Sequence, residues 1–247
     1  MKTALVMLAV TAMRTGVCIA GVRQDAPSVW VRPVREFGTV TLGDITYPGA
    51  NPGQTGERRV MRPFDIVEIT FDAHRPEPPF VEDWICDFSR HRPRLLGTLA
   101  EDERLALLQA ASASPESIWS GRDRSLGACV ADDLSATFSH DEYAGKYEAR
   151  LSFGGQPATA SSLPCTDLKW RAFGRTTLTN EKASSNGQQI RTISFTNQEL
   201  RQALGVGERA IWLALGLTRE LHGRRWPLIV GVHTIPDYEA TVDYSTL

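Results

Sequence analysis

The stretch MKTALVMLAVTAMRTGVCIAGV, residues 1–22, decides how the rest of the chain is interpreted. As a signal peptide it would combine Lys2 with an apolar segment of suitable length, but Arg14 interrupts the stretch and no clear small-x-small cleavage site follows. As structure, ALVMLAV and VCIAGV are apolar runs of strand length on either side of a turn-like TAMRTG segment. We therefore expect two buried strands, with export as the alternative.

Composition indicates a soluble globular protein. The 247 residues suit one large domain or two modest ones, 42% are hydrophobic, and no apolar run approaches the roughly 20 residues of a spanning helix. The net charge of −2 supplies no global attraction for a polyanion, so such a site must be local. Arginine makes up 23 of the 27 basic residues, which suits phosphate contacts but is also typical of a GC-rich genome. The four scattered cysteines form no CxxC pair, which predicts reduced, mostly buried thiols.

Strand patterns dominate both halves of the chain. VWVRPV and FDIVEITF predict strands on either side of a Gly/Pro-rich loop over residues 47–63, and further strand patterns begin at residue 126. Helical spacing appears over residues 81–90 and 99–112, and again at FTNQELRQALG with Thr196 as its N-cap. NEKASSNG, residues 180–187, is typical of an exposed loop. The sequence predicts a mainly β protein of two barrel-like domains, 1–95 and 126–247, joined by a helical connector over 96–125.

Five segments carry a family resemblance that covers nearly the whole chain: CIAG, WVRPV and FDIVEI in the first half, then SSLPCTDLKW and WLALGLTRELHGRRWPLIVGVHTI. Together they resemble the prokaryotic dual OB-containing domain family. The segment PPFVEDWI departs from the family pattern but keeps Glu82, and the first turn lacks a lysine, which leaves Arg14 for any phosphate contact there. The resemblance implies two OB-type barrels, recognition of nucleic acid or nucleotide, and a place beside prokaryotic defence or conflict genes. It favours strands over a signal peptide, and hence a cytoplasmic protein.

OB barrels bind single strands with aromatic platforms and cationic grooves. Two clusters fit that chemistry, one in each half of the chain. The candidate nucleic-acid contacts are Arg14, Trp30, Arg32, Arg35, Arg58, Arg59 and Arg62 in the first half, and Asp167, Lys169, Trp170 and Arg171, with Arg175 close by, in the second. The structural alternative makes both tryptophans core residues, the arginines of the loop a solvated edge, and Thr166-Asp167 a capped turn.

Signals for catalysis are weak. The sequence contains no HExxH, P-loop, GxSxG or GxGxxG motif. Acids and a histidine over residues 132–142 form the one dense cluster that could bind a divalent metal, and Cys129 or Cys165 as a nucleophile is less favoured. We expect a binding protein without a catalytic residue, cofactor, metal or membrane association, whose ligand is single-stranded nucleic acid or a nucleotide and whose protein partner, if any, is encoded nearby. The alternatives are a metal-dependent nuclease and a scaffold for a protein partner.

Overall fold

The protein is mainly β, as predicted. A computed structural model describes residues 1–13, 15–48, 58–180, 190–220 and 223–244, except for the side chains of Pro48 and Arg58. Arg14, residues 49–57 of the predicted Gly/Pro-rich loop and most of the predicted loop over residues 180–187 lie outside these ranges. None of the described helices combines the length and the apolar character needed to cross a membrane.

Short strands make up the first half of the described chain. They are β1 (Lys2–Met13), β2 (Gly16–Arg23), β3 (Ala26–Val34), β4 (Thr46–Pro48), β5 (Arg58–Val60), β6 (Asp65–Thr70), β7 (Ala73–His74), β8 (Asp83–Ile85) and β9 (Arg94–Thr98). Seven of them form one sheet in the order β7-β8-β3-β2-β1-β6-β9, and β4 pairs with β5. The strands predicted from ALVMLAV, VCIAGV, VWVRPV and FDIVEITF are confirmed as β1, β2, β3 and β6.

Strand β1 is buried on both faces of this sheet. Leu5 and Met7 belong to one hydrophobic core, whereas Val6 and Leu8 belong to another. Because successive side chains of a strand point to opposite faces, a strand with a core on each side needs apolar residues at every position. This explains why ALVMLAV is a continuous apolar run, and it makes β1 the strand on which the two cores meet.

The helix predicted over residues 81–90 is wrong. Asp83–Ile85 instead form β8, which runs parallel to β3 with Asp83 opposite Arg32. The buried ion pair between these two side chains, 2.6 Å from Arg32 Nη2 to Asp83 Oδ1, accompanies that pairing. The helical spacing of the apolar residues is overridden because this segment gains backbone and side-chain partners at the edge of β3.

Four helices and two smaller sheets follow in the described chain. They comprise α1 (Glu101–Ala110), α2 (Pro115–Trp119), β10 (Leu126–Val130), β11 (Ser135–Asp141), β12 (Lys146–Ser152), β13 (Leu163–Pro164), α3 (Leu168–Asn180), β14 (Ile190–Phe195), α4 (Asn197–Leu204), β15 (Trp212–Leu217) and β16 (Pro227–His233). The sheets have the orders β10-β15-β16 and β13-β12-β11-β14. Helix α1 and helix α4 with its Thr196 cap are confirmed, the latter by a complete capping box with Glu199. Helix α3 was not predicted.

The β10-β15-β16 sheet packs against β1. Their shared core joins Val6 and Leu8 to Ala128, Ala214 and Val230. Close contact requires a glycine in β16, because a Cβ atom at Gly231 would lie 2.5 Å from the carbonyl oxygen of Leu8. Over the described ranges, none of the four sheets closes into a complete barrel, and the predicted boundaries 1–95, 96–125 and 126–247 stay predictions.

A buried carboxylate also connects the two halves of the chain. Glu82 accepts hydrogen bonds from the backbone N–H of Ser125 at 2.9 Å, from the Ser125 hydroxyl at 2.8 Å, and from the backbone N–H of Leu126 at 3.1 Å. All of these donors are buried. Glu82, the residue that the family resemblance retains, thus fixes the start of β10 against the loop before β8.

We expect Glu82→Ala to lower the free energy of unfolding by about 3 kcal/mol or more, because each unsatisfied buried donor costs about 1–3 kcal/mol. Urea unfolding followed by circular dichroism measures the change. Glu77→Ala is the control, because Glu77 is exposed and lies six residues before β8 begins. It should change stability by less than about 0.5 kcal/mol. Equal losses in the two variants would contradict the role given to Glu82.

Candidate nucleic-acid interface

Asp167 positions the second predicted cluster. Its Oδ1 atom accepts the backbone N–H groups of Lys169, at 2.7 Å, and Trp170, at 3.3 Å, as an N-terminal cap does for a helix. Its Oδ2 atom accepts the backbone N–H of Val232 in β16 at 2.8 Å. Asp167 also forms an isolated β-bridge with Thr11 of β1. One buried residue therefore holds the start of α3 against strands from both halves of the chain.

Two adjoining cavities open beside this junction. The first has a volume of about 550 Å³ and the second about 730 Å³. Both are within the size range of small-ligand pockets. They share Leu168, Thr241 and Val242 as lining residues, and we call them together the cleft.

The cleft brings together residues that the sequence placed in two separate clusters. Arg59 and Arg62 from the first half line the first cavity together with Asp167 and Lys169 from the second half. Arg171 lines the second cavity. The structure thus brings basic residues from both halves of the chain to one cleft, where carboxylates, among them Asp65, Asp237 and Glu239, line the first cavity beside them.

A carboxylate on the floor of the first cavity orders its arginines. Asp65 is fully buried and pairs with Arg59 at 2.8 Å. It also accepts the backbone N–H of Arg62 and the hydroxyl of Thr98, each at 3.0 Å, and the hydroxyl of Tyr47. Burial, followed by the hydrogen bond to Asp65, raises the pKa of Tyr47, which keeps its hydroxyl protonated as a donor. Arg59 and the backbone of Arg62 are held in place before any ligand arrives.

The C-terminal segment over residues 236–244, which we call the strap, crosses the cleft. Asp237 pairs with Lys169 at 2.7 Å, and the Lys169 ammonium lies 4.3 Å from the ring centroid of Tyr238. Tyr238 is buried, and a side-chain hydrogen bond joins Tyr244 to Arg62. The strap thereby sets carboxylates and aromatic rings beside the basic groups of the first cavity.

The second cavity carries a pair of arginines on one aromatic ring. The guanidinium carbons of Arg171 and Arg175 lie 4.9 and 4.7 Å from the ring centroid of Tyr147. Burial, followed by the neighbouring charge of Arg175, lowers the pKa of Arg171. Two guanidinium groups thus lie against one aromatic ring, in cation–π contact with it.

Other predicted contacts are placed elsewhere. Trp30 is 4% exposed and donates its indole N–H to the Ala111 carbonyl at 3.0 Å, and Trp170 is fully buried against Phe138 and Phe173. Neither indole is accessible for stacking on a base. Both tryptophans occupy core positions, which was the structural alternative, and neither is retained as a candidate ligand contact.

Arg32 in β3 and Arg35 just after it each pair with a carboxylate. Neither arginine is among the described residues that line the cleft. Arg32 is buried and pairs with Asp83, and Arg35 forms a bidentate pair with Asp44 at 3.0 and 2.6 Å. Arg14 and the side chain of Arg58 lie outside the described residues. The candidates that face the cleft are therefore Arg59, Arg62, Asp167, Lys169 and Arg171.

The residues considered for catalysis are dispersed or buried. Within the described ranges, no group of three or more His, Cys, Asp or Glu side chains is arranged to hold a metal ion. In the predicted 132–142 cluster, Glu142 pairs with Arg191 at 2.8 Å and Asp141 caps the turn at Ala144. Burial raises the pKa of Cys129 to about 12 and that of Cys165 well above its usual value.

Sequence reasoning missed several residues of the cleft. Arg104 reaches it from α1 and lies 4.5 Å from the ring centroid of Phe64, while Asp237 and Tyr238 reach it from the strap. A single arginine on a helix and a short acidic, aromatic segment carry no motif. The one available signal is the alternation of polar and apolar residues over 239–244. Its apolar members, Ala240, Val242 and Tyr244, are less exposed than their neighbours.

These observations define a mainly β protein with a cleft, lined by both cationic and carboxylate side chains, between its two halves. The chain belongs to the dual OB-containing domain family, which it matches over residues 3–232. The family resemblance predicted from the sequence is thus confirmed, and it supports two OB-like units, a type of fold that binds oligonucleotides. Comparison with curated proteins and with solved structures gave no significant match.

Two buried groups beside the cleft should give opposite pH dependences of stability. Burial raises the pKa of Asp167 to about 6 and lowers the pKa of His233 to about 4, against ordinary values of about 3.9 and 6.5. Between about pH 4 and 6, folding takes up a proton at Asp167, so its contribution falls as pH rises. Over the same window folding releases a proton from His233, so its contribution rises with pH. In the wild type the two slopes offset each other.

We therefore expect Asp167→Asn to make the free energy of unfolding rise more steeply with pH than in the wild type between pH 4 and 6. His233→Gln should shift the slope in the opposite direction. Each difference can reach about 1.4 kcal/mol per pH unit, the value for one proton. Urea unfolding at half-unit pH steps measures both slopes. Slope changes of the same sign in the two variants would contradict the assignment.

Proposed function

We propose that this protein binds single-stranded nucleic acid or a nucleotide in the cleft and acts by binding, without chemistry of its own. One observation carries the proposal: two basic clusters that are more than 100 residues apart in sequence, Arg59-Arg62 and Lys169-Arg171, line adjoining cavities. Family membership supports it, because OB-like units commonly bind oligonucleotides. Two OB-like barrels around a helical connector, a cytoplasmic location and a role in a prokaryotic defence system stay predictions from the sequence and the resemblance.

The cleft has the chemical groups that such a ligand needs. Arginine and lysine side chains bind phosphate oxygens through charge-assisted hydrogen bonds, and arginine also stacks on bases. Arg62 and Lys169 face the first cavity, whereas Arg171 and its Tyr147 contact belong to the second. We place phosphate groups beside these cations and a base or sugar in the first cavity, against Met61 and Leu168.

We expect Arg62→Ala and Lys169→Ala each to weaken binding of labelled single-stranded oligonucleotides by about 1–1.4 kcal/mol, roughly 5- to 10-fold. Each lost phosphate contact should also reduce the slope of log affinity against log salt concentration by about 0.7. Fluorescence anisotropy with DNA and RNA oligonucleotides at several salt concentrations measures both quantities. Arg23→Ala is the matched control, because Arg23 pairs with Asp25 in the turn after β2, remote from the cleft.

The outcomes separate the candidate functions. Binding that neither cleft variant weakens would overturn the cleft as the site, and no binding of either polymer or of free nucleotides would favour the scaffold. Shortening of the labelled strand in the presence of a divalent ion, followed on a denaturing gel, would favour the nuclease.

Asp237→Asn should act in the opposite direction. It removes the strap carboxylate that pairs with Lys169 at 2.7 Å, so the ammonium becomes available to a phosphate and one repulsive charge is lost. The Lys169 and Asp237 side chains are partly buried, 18% and 36% exposed, and even a surface ion pair contributes about 0.2–1 kcal/mol. We therefore expect tighter oligonucleotide binding by at least roughly 1.5- to 5-fold, measured by the same titration. Asp25→Asn, which breaks the Arg23 pair of equal length, is the control. Weaker binding by Asp237→Asn would contradict the placement of phosphate at Lys169.

A further inference from the structure

An exposed tryptophan lies outside the cleft. Of the six tryptophans, all of which lie within the described residues, Trp226 alone is classed as exposed, at 49% of its surface. Burying a large apolar side chain is worth roughly 1.5–3 kcal/mol, and the fold leaves that stabilisation unused at this position. Exposed tryptophans with arginine neighbours are typical of binding surfaces.

Three arginines lie close to this tryptophan in the chain, in the β15–β16 connection. Arg219, Arg224 and Arg225 are exposed, and we call them together with Trp226 the hairpin surface. The guanidinium carbons of Arg219 and Arg225 lie 4.0 and 5.7 Å from the ring centroid of Phe80. The hairpin surface therefore places three exposed arginines within seven residues of the exposed tryptophan.

Carboxylates offset part of this charge, since Glu220 of the same connection is also exposed. Asp83 is the carboxylate that pairs with Arg219, and it is already engaged by the buried Arg32. No described carboxylate forms an ion pair with Arg224 or Arg225 within 4.0 Å. One negative charge is thus shared by two guanidinium groups, and two further arginines add positive charge without a paired carboxylate in the described chain.

The backbone holds the aromatic face in position. The N–H of Thr218 donates to the carbonyl of Trp226 at 3.0 Å, and the N–H of Trp226 donates to the Thr218 hydroxyl at 2.9 Å. Phe80, which is buried, supports Arg219 from below. The backbone that carries Trp226 is therefore already ordered, which lowers the ordering cost for a ligand that stacks on its ring.

We infer that the hairpin surface is a second contact for single-stranded nucleic acid, with a base stacked on Trp226 and phosphates beside Arg224 and Arg225. This inference rests on the proposed function and makes its ligand a polymer. Val232, which donates to Asp167 beside the cleft, lies six residues after Trp226, the residue that precedes β16, and this spacing is about 20 Å in an extended strand. A mononucleotide cannot reach both places, whereas a strand of several nucleotides can, within the 4–16 nucleotides or so that one OB fold covers.

The test compares a long and a short ligand. We expect Trp226→Ala to weaken binding of a 20-nucleotide single strand about 5- to 20-fold, since stacking on an aromatic side chain is lost. Trp226→Phe, which keeps a ring, should restore most of the affinity. Arg224→Ala should weaken binding and reduce its salt dependence. A dinucleotide, too short to span 20 Å, should bind Trp226→Ala and the wild type equally if it occupies the cleft.

Controls and outcomes separate this inference from the proposed function. Tyr143→Ala removes an aromatic side chain that is 85% exposed in the β11–β12 turn and should leave binding unchanged. If Lys169→Ala weakens the 20-nucleotide complex and Trp226→Ala does not, the hairpin surface is overturned and the cleft stands. If only Trp226→Ala weakens it, the hairpin surface stands and the cleft is overturned. Equal competition by polyglutamate of matched charge would show a general anion surface and overturn the inference.

Discussion

The position of one buried carboxylate constrains the whole arrangement. Asp167 accepts backbone N–H groups from the first turn of α3 and from Val232 of β16, and it bridges to Thr11 of β1. Burying a charged group is unfavourable unless hydrogen bonds compensate for the lost water, so the three donors cannot move apart independently. The direction of α3, the burial of Trp170 and the approach of Lys169 to the first cavity all follow from this junction.

The sequence predicts strands well where both of their faces are buried and helices well where capping chemistry is local. ALVMLAV is unambiguous because β1 has a core on each side, and Thr196 with Glu199 forms its capping box within four residues. The helix predicted over residues 81–90 fails because a parallel pairing with β3, over 50 residues away in sequence, overrides local periodicity. Helix α3 was not predicted because the position of its capping residue, Asp167, depends on a hydrogen bond from Val232, which is distant in sequence.

The candidate site also has a part that local sequence predicts and a part that depends on distant contacts. Basic clusters are visible in sequence because their members are neighbours in the chain, and Arg62 and Lys169 could be singled out that way. Their common cleft could not, because it depends on how α3 and the strap pack beside β1. Residue type alone does not predict which tryptophans are accessible to a ligand. Trp30 and Trp170 are core residues, whereas Trp226, which the sequence places only in a closing strand pair, is exposed.

Charge pairing explains how a protein of net charge −2 can present surfaces for a polyanion. In the cleft, Arg59 and Lys169 already face Asp65 and Asp237, so a phosphate entering there exchanges one anionic partner for another and gains only the difference. The hairpin surface is the opposite case, since Arg224 and Arg225 have no paired carboxylate in the described chain and Trp226 supplies stacking. Long-range attraction should therefore come from the hairpin surface, and discrimination from the preorganised cleft. A ligand that benefits from both must be extended, which is a property of a strand rather than of a single nucleotide.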